Sequence, residues 1–105
     1  MAPYLALALA IAAEVVATSA LKATDTFTKP IPSAIVVVCY AIAFYFLSIA
    51  VKAIPVGVAY GIWSGLGIVL VSLLAFFLYK QSLTPFQLIG LLFIVVGVVL
   101  VNLKS

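Results

Sequence analysis

The 105-residue sequence contains no histidine and only one cysteine, and charged residues make up 7% of it. The lone thiol of Cys39 has no partner for an internal disulfide, and a cysteine-histidine zinc cluster has no further ligands. An ordinary soluble domain carries about 25% charged residues. The low charge therefore excludes a water-soluble globular domain, and the missing ligand types exclude a disulfide scaffold and argue against a metal site.

Hydrophobic residues are present in excess, at 69% of the chain with a mean hydropathy of +1.50. Most side chains must therefore face a lipid bilayer. The formal net charge of +3 comes from five lysines and two acids. These lysines stand singly and form no basic patch, so we expect membrane-end anchors and no nucleic-acid partner. They occupy Lys22, Lys29, Lys52, Lys80 and Lys104.

The lysines separate segments that are each long enough to cross a bilayer, which takes about 20 apolar residues. The sequence predicts an all-α membrane protein with one domain over 1–105. Its four transmembrane helices are expected at roughly 3–21, 33–51, 56–78 and 86–103. The first segment lacks a basic leader region and reads as a span rather than a signal peptide. Short connections rich in proline and glycine favour an antiparallel four-helix unit.

The lysines are nearly balanced between the two membrane sides. Lys22, Lys29 and Lys80 lie on one side, and Lys52 and Lys104 lie on the other with the N-terminal amine. Because lysines near span ends are retained in the cytoplasm, this balance leaves orientation almost undecided. We expect dual insertion and an antiparallel homodimer with inverted symmetry. The alternative is one orientation decided by a single lysine.

Glu14 lies about midway through the first predicted span, where a carboxylate costs at least about 2.5–3.5 kcal/mol. Ala10, Ala17 and Thr18 share its helical face and let another group come close. No other charged residue falls within a predicted span, so an ionised Glu14 needs a proton or a cationic ligand. The alternative is a protonated acid that only hydrogen-bonds a neighbouring helix.

Aromatic residues form two helical pairs away from the expected membrane interfaces. Tyr40 and Phe44 are four residues apart in the second span, and Tyr60 and Trp63 are three apart in the third. Ring faces beside a carboxylate suit a lipophilic cation through cation–π contact. Ordinary helix packing is the alternative, and it is the favoured interpretation for Phe44 taken alone.

Glycines mark the third and fourth spans. Gly57, Gly65 and Gly67 permit both a bend that acts as a gate and close helix packing. Gly90 and Gly97 lie seven residues apart on the fourth span, which carries no intramembrane charge. This spacing predicts a dimer seam, with lipid-facing packing as the alternative.

Several motifs together resemble the small multidrug resistance family over the whole chain. They are Ala13-Glu14-Val15 with Thr18 and Lys22, Phe27-Thr28, Pro32-Ser33, Cys39-Tyr40, Pro55-Val56-Gly57-Val58-Ala59-Tyr60 and Ile62-Trp63-Ser64-Gly65-Leu66-Gly67. The resemblance implies a four-helix protein of a prokaryotic inner membrane that works as an antiparallel dimer. It also implies exchange of protons for small cations at a shared Glu14, with Ser64 in the same site.

Ala17 stands where guanidinium exporters of that family carry tryptophan, so the resemblance is to the quaternary-ammonium branch. It implies proton-coupled export of lipophilic cations, with guanidinium export as the alternative within the family. Ala17 and Thr26 replace glycines that are common in close relatives.

Two other classes of protein also carry a buried carboxylate or small apolar helices. A rotor-type proteolipid is disfavoured by four spans and inward aromatics. A structural or lipid-binding membrane protein would not need Glu14. An enzyme is not expected, because no nucleophile and base can be paired, and no cofactor is predicted.

Overall fold

A computed structural model of the chain describes residues 2–103, which form four α-helices and no strand. Helix α1 spans Pro3–Ala20 and continues into a short 3₁₀ helix over Leu21–Thr24. Helix α2 spans Pro30–Ala50, α3 spans Val56–Leu78 and α4 spans Pro85–Leu103. All four are long and apolar enough to cross a membrane.

Proline sets the start of three of these helices. Pro3, Pro30 and Pro85 are the first residues of α1, α2 and α4, where a missing backbone N–H costs no intrahelical hydrogen bond. Helix α2 begins three residues before the expected start at 33. Both Pro30 and Pro32 lie in its first turn, where proline is tolerated. Helix α3 has the predicted bounds, and α4 begins one residue early.

The connection between α1 and α2 is held by Thr24, whose side chain is almost fully buried. Its hydroxyl donates to the Leu21 carbonyl at 2.7 Å and accepts from the Phe27 N–H at 3.2 Å. Asp25, Thr26 and Phe27 all adopt positive φ angles, of 48°, 61° and 61°. Residues with left-handed backbone conformations carry a steric cost. The two hydrogen bonds of Thr24 stabilise the turn in which these three residues adopt that conformation.

Helix α1 forms the centre of the bundle. It packs against both α2 and α3, whereas α4 packs against α3 and contains no buried residue. The buried apolar residues come chiefly from α1 and its neighbours. The resulting body measures 42 × 35 × 16 Å, so its shortest dimension is about one and a half helix diameters. A body this thin leaves broad apolar faces uncovered.

Tyrosines tie α1 to its neighbours at both ends. The Tyr79 hydroxyl, after the end of α3, donates to the Ser19 carbonyl at 2.5 Å, and the Lys22 ammonium lies 5.1 Å above the Tyr79 ring centre. At the opposite end the Tyr4 hydroxyl donates to Asn102 Oδ1 at 3.3 Å. These bonds place the ends of α1 against α3 on one side and α4 on the other.

The glycines differ in what surrounds them. A Cβ added at Gly65 would collide with Val98 of α4, so Gly65 permits close α3–α4 packing. A Cβ at Gly57, Gly90 or Gly97 would meet nothing within 4 Å. Helix α3 is continuous past Gly57 and Gly65, and a gating bend there stays a prediction, as does the dimer seam at Gly90 and Gly97.

Candidate functional site

A cavity of about 620 Å³ opens between α1, α2 and α3. Eight of its lining residues are ones that the sequence singled out, from three different helices: Glu14, Thr18, Tyr40, Phe44, Tyr60, Trp63, Ser64 and Gly67. Ile68, Val71 and Ser72 complete the lining. Residues far apart in sequence thus converge on one space beside the carboxyl group.

One carboxyl oxygen of Glu14 is held by a chain of hydroxyl groups. Thr18 Oγ1 lies one turn along α1 and donates to Glu14 Oε1 at 2.7 Å. The Tyr40 hydroxyl lies 2.6 Å from the same Thr18 oxygen. Because the Thr18 proton is used toward Glu14, the Tyr40 hydroxyl donates to Thr18. This chain fixes the rotation of the carboxyl group and links α1 to α2.

The second oxygen, Glu14 Oε2, is buried and has no hydrogen-bond partner among the described residues. It lies against α3 at Gly67, where an added Cβ would be only 2.9 Å from it. A buried carboxylate oxygen without a donor is unfavourable, because neither water nor protein compensates its charge. Oε2 is therefore the carboxyl oxygen whose charge the described residues leave uncompensated.

Trp63 forms the centre of an aromatic wall. Its ring centre is 5.5 Å from that of Phe44 and 5.6 Å from that of Tyr60, and both pairs are close to edge-to-face. Phe44 thus packs against Trp63 and also lines the cavity. Tyr60 and Phe44 remain 60% and 56% exposed, so their ring surface is available to a ligand. Trp63 Nε1 is buried and has no partner among residues 2–103.

This arrangement favours positively charged apolar ligands. The carboxylate supplies a negative charge, and the ring faces attract cations through their quadrupoles. The rest of the lining is aliphatic or carries only hydroxyl groups. A volume of about 620 Å³ falls within the usual range for small-molecule sites.

Other predicted residues lie outside the cavity lining. Ala10 is fully buried in the core, although it shares the helical face of Glu14. Gly65 faces α4 rather than the cavity, whereas Gly67 faces Glu14. Three lining residues were not predicted from the sequence, namely Ile68, Val71 and Ser72. The helical repeat could have identified them. Positions 68 and 72 follow Ser64 at intervals of four residues, and position 71 follows Gly67 at the same interval, so each lies on the face of a residue already predicted.

Comparison with known proteins identifies the family. The family model described as Small Multidrug Resistance protein matches residues 2–94. The chain belongs to the small multidrug resistance family. The matched range includes every residue of the cavity.

Relatives match over the full length of the chain. It is 52% identical to the quaternary ammonium compound-resistance protein QacE of Escherichia coli over all 105 residues, which cover 96% of that protein. It is 54% identical to a multidrug transporter of Pseudomonas aeruginosa and 43% identical to the multidrug transporter EmrE of Escherichia coli K12, with the same coverage of each.

Family membership and the four apolar helices confirm the expected multi-pass protein of the bacterial inner membrane. The names of these relatives describe transporters and resistance proteins rather than enzymes, which agrees with the sequence analysis. Membership also argues against a rotor-type proteolipid.

Proposed function

We propose that this protein is a proton-coupled antiporter that exports lipophilic and quaternary ammonium cations. The observation that carries the proposal is that Glu14 lines a cavity walled by aromatic rings and that its Oε2 has no hydrogen-bond partner among the described residues. The names of the relatives support the substrate class, since QacE is named for resistance to quaternary ammonium compounds. Small cations, protons and the bilayer are then the partners of the chain.

Competition for one oxygen provides the coupling. Oε1 already accepts from Thr18, so in this proposal a proton and a cation compete for Oε2, the buried oxygen without a partner among the described residues. No second carboxyl group lies in the four helices, because the other acid of the chain, Asp25, is in the first connection. A carboxylate with neither a proton nor a cation bound is unfavourable inside the membrane. Release of the proton therefore favours binding of the cation, and release of the cation favours binding of the proton.

The aromatic wall favours cations without N–H groups. A quaternary ammonium cannot donate a hydrogen bond, and its attraction to Phe44, Tyr60 and Trp63 is through the ring faces. Ala17 is small and buried on α1, so no tryptophan occupies this part of the helix. Guanidinium is planar and carries N–H groups that donate hydrogen bonds, whereas a quaternary ammonium has none. Comparing the binding of these two cations therefore distinguishes the two possible substrate classes.

The working unit in this proposal is an antiparallel homodimer. A body 16 Å thick cannot enclose the cavity by itself, and a second copy would cover its open side. In this arrangement the two copies have opposite orientations and differ in conformation. When the copies exchange conformations, the cavity opens to the other side of the membrane, which gives alternating access. Gly57, Gly65 and Gly67 are the proposed gating and packing positions of α3, and Gly90 and Gly97 form the proposed dimer seam.

Cation-driven proton release tests the coupling. Purified protein in weakly buffered detergent is mixed with benzyltrimethylammonium or with guanidinium, and the change in pH is recorded. We expect release with the quaternary cation and little with guanidinium. Glu14→Gln should release none, whereas Asp25→Asn, which removes the other acid, should behave as the unchanged protein. Proton release by Glu14→Gln would contradict the proposal.

Lysine placement tests the antiparallel arrangement. Ala2→Lys with Ala53→Lys adds charge to one membrane side, and Thr26→Lys with Gln81→Lys adds it to the other, so each pair fixes one orientation. Each protein alone should confer no resistance, and co-expression should restore it. Full resistance from one fixed orientation would instead support a parallel dimer.

A further inference from the structure

The cavity that contains Glu14 has two ends of different composition. Gly67 of α3 lies directly against Glu14 Oε2 and marks the level of the carboxyl group. Before Gly67, helix α3 lines the cavity with the rings of Tyr60 and Trp63, and we call this part the aromatic end. Beyond Gly67 lies the part that we call the aliphatic end, where α3 contributes Ile68, Val71 and Ser72.

The lining on α3 extends well to both sides of the carboxyl group. Tyr60 precedes Gly67 by seven residues, and Ser72 follows Gly67 by five. At a rise of 1.5 Å per residue, these separations are about 10.5 Å and about 7.5 Å along the helix axis. A ligand with its charge at Glu14 therefore has room for one substituent in each direction.

Helix α1 runs in the same direction as α3. Glu14 lies against Gly67, and the later residue Ser19 accepts a hydrogen bond from the later residue Tyr79. Thr18 follows Glu14 by one turn and therefore lies toward the aliphatic end. Its hydroxyl group is already used, because it donates to Glu14 Oε1.

Helix α2 contributes one aromatic residue to each end. Phe44 packs against Trp63 with ring centres 5.5 Å apart, so it belongs to the aromatic end. Tyr40 lies one turn earlier in α2, and its hydroxyl is bonded to Thr18 Oγ1 at 2.6 Å. The hydroxyl protons of Thr18 and Tyr40 are thus both used within the protein, and neither remains for a ligand.

The contacts that remain for a ligand at the aliphatic end are chiefly apolar. Ile68 and Val71 have only aliphatic side chains, and Ile68 is 51% exposed. Such side chains contribute to binding by burying apolar surface, whereas the rings at the other end also attract positive charge. The aliphatic end therefore favours an alkyl substituent, and the aromatic end favours a ring.

We propose that the aliphatic end is a second subsite, in which Ile68 and Val71 bind an alkyl substituent of the transported cation while an aromatic substituent occupies the aromatic end. The inference rests on the proposed cation site and adds to it a fixed orientation of the substrate. The occupant is the substrate itself, because both ends and Glu14 line one continuous cavity. A lipid chain in this space, or a tail that leaves the cavity for the bilayer, gives different results in the following test.

Four cations separate the two ends. Tetramethylammonium carries neither substituent, benzyltrimethylammonium carries the ring, butyltrimethylammonium carries the tail, and benzylbutyldimethylammonium carries both. Affinities are measured in lipid nanodiscs from the fluorescence of Trp63, which is the only tryptophan of the chain. The ring gain and the tail gain are the factors by which each substituent raises affinity over tetramethylammonium. Because the subsites lie on opposite sides of the carboxyl group, the two gains should multiply in the cation that carries both.

The decisive variant is Val71→Phe, which fills the aliphatic end. Each buried methylene contributes about fourfold in affinity, so the three that butyl adds to methyl should give a tail gain of at least about tenfold. We expect Val71→Phe to reduce the tail gain to less than about fourfold and to retain the ring gain. Val69→Phe is the matched control, since Val69 is on the same helix and does not line the cavity. It should retain both gains, and the comparison between variants cancels partitioning into the lipid.

Two further variants test the ends separately. Tyr60→Leu removes a ring from the aromatic end, so it should reduce the ring gain and retain the tail gain. Ile68→Ala truncates a largely exposed side chain, and we expect it to reduce the tail gain by about two- to fourfold with the ring gain unchanged. This variant tests the same subsite if Val71→Phe does not fold.

A tail gain that stays the same in folded Val71→Phe and in Ile68→Ala would overturn the proposal, since the tail would then lie in the bilayer. Equal loss of the tail gain in Val69→Phe, or ring and tail gains that do not multiply, would also overturn it. Absence of a tail gain in the unchanged protein would overturn it in favour of a lipid chain in this space. Failure of the cation site itself is distinguishable, because the unchanged protein would then show neither a Trp63 response nor proton release with any of the four cations. Melting temperatures of all variants verify folding.

Discussion

Gly67→Ala perturbs the candidate site through one methyl group. The added Cβ would lie 2.9 Å from Glu14 Oε2, whereas ordinary contacts begin at 3.4 Å, so the oxygen must retreat by about 0.5 Å. The carboxyl group is the flexible end of its side chain, and the clash can be relieved there. The cost therefore falls on the carboxyl geometry rather than on the helix, where alanine is favoured over glycine by about 0.5–1 kcal/mol.

The hydrogen bond to Thr18 determines the size of the effect. It measures 2.7 Å, and a shift of about 0.5 Å would take it beyond the usual range for O–H···O bonds. A hydrogen bond to a charged acceptor contributes about 1.5–3 kcal/mol to stability, which exceeds the about 0.5–1 kcal/mol that alanine gains in the helix, so we expect a lower melting temperature. The displaced carboxyl group should also bind cations more weakly, by about one order of magnitude, which corresponds to about 1.4 kcal/mol.

Two further variants make the measurement specific. Gly61→Ala adds the same methyl group to α3 at an ordinary distance of 3.9 Å from Val101, and its cation affinity should be unchanged. Glu14→Asp combined with Gly67→Ala withdraws the carboxyl group from the methyl, so it should recover part of the affinity relative to Glu14→Asp alone. Affinity is read from Trp63 fluorescence at fixed pH. Unchanged affinity in folded Gly67→Ala would refute the inferred position of Oε2.

Three more predictions concern thermal stability in detergent. Gly65→Ala should destabilise the protein by about 1–3 kcal/mol through its collision with Val98, and adding Val98→Ala should reverse part of the loss. Thr26→Gly should stabilise it by about 1 kcal/mol, because glycine adopts the φ of 61° without steric cost, and a lower melting temperature would argue against this turn. Tyr79→Phe should cost about 1 kcal/mol by removing the bond to the Ser19 carbonyl while keeping the ring under Lys22, and an unchanged melting temperature would show that this bond contributes nothing.

The number and placement of the helices could be predicted because the constraints are local. Lysines and prolines mark the limits of four apolar segments, and a bilayer fixes their length. Helix α2 begins three residues before the predicted start because both Pro30 and Pro32 can occupy its first turn. The 3₁₀ helix and the left-handed turn after α1 carried no pattern that separates them from an ordinary loop.

The candidate site was predictable only in part. Glu14 stands out because intramembrane carboxyl groups are costly, and the inward aromatic residues have few alternative roles. The hydroxyl chain from Tyr40 through Thr18 depends on how α2 faces α1, which periodicity does not specify. Ser72 follows Ser64 by eight residues on the same helical face, but periodicity does not show that this face lines a cavity.

The two oxygens of Glu14 have different environments, and this asymmetry has a consequence for selectivity. Oε1 is bound by a hydroxyl of the same helix, so its geometry is set before any ligand arrives. Oε2 is buried against Gly67 and has no donor among the described residues. The cavity lining therefore combines a carboxyl group with ring faces and aliphatic groups and directs no hydrogen-bond donor at this oxygen. A cation site of the proposed kind discriminates by sign and hydrophobicity rather than by hydrogen-bond pattern, so it should accept many apolar cations and exclude anions, within limits set by the aromatic wall.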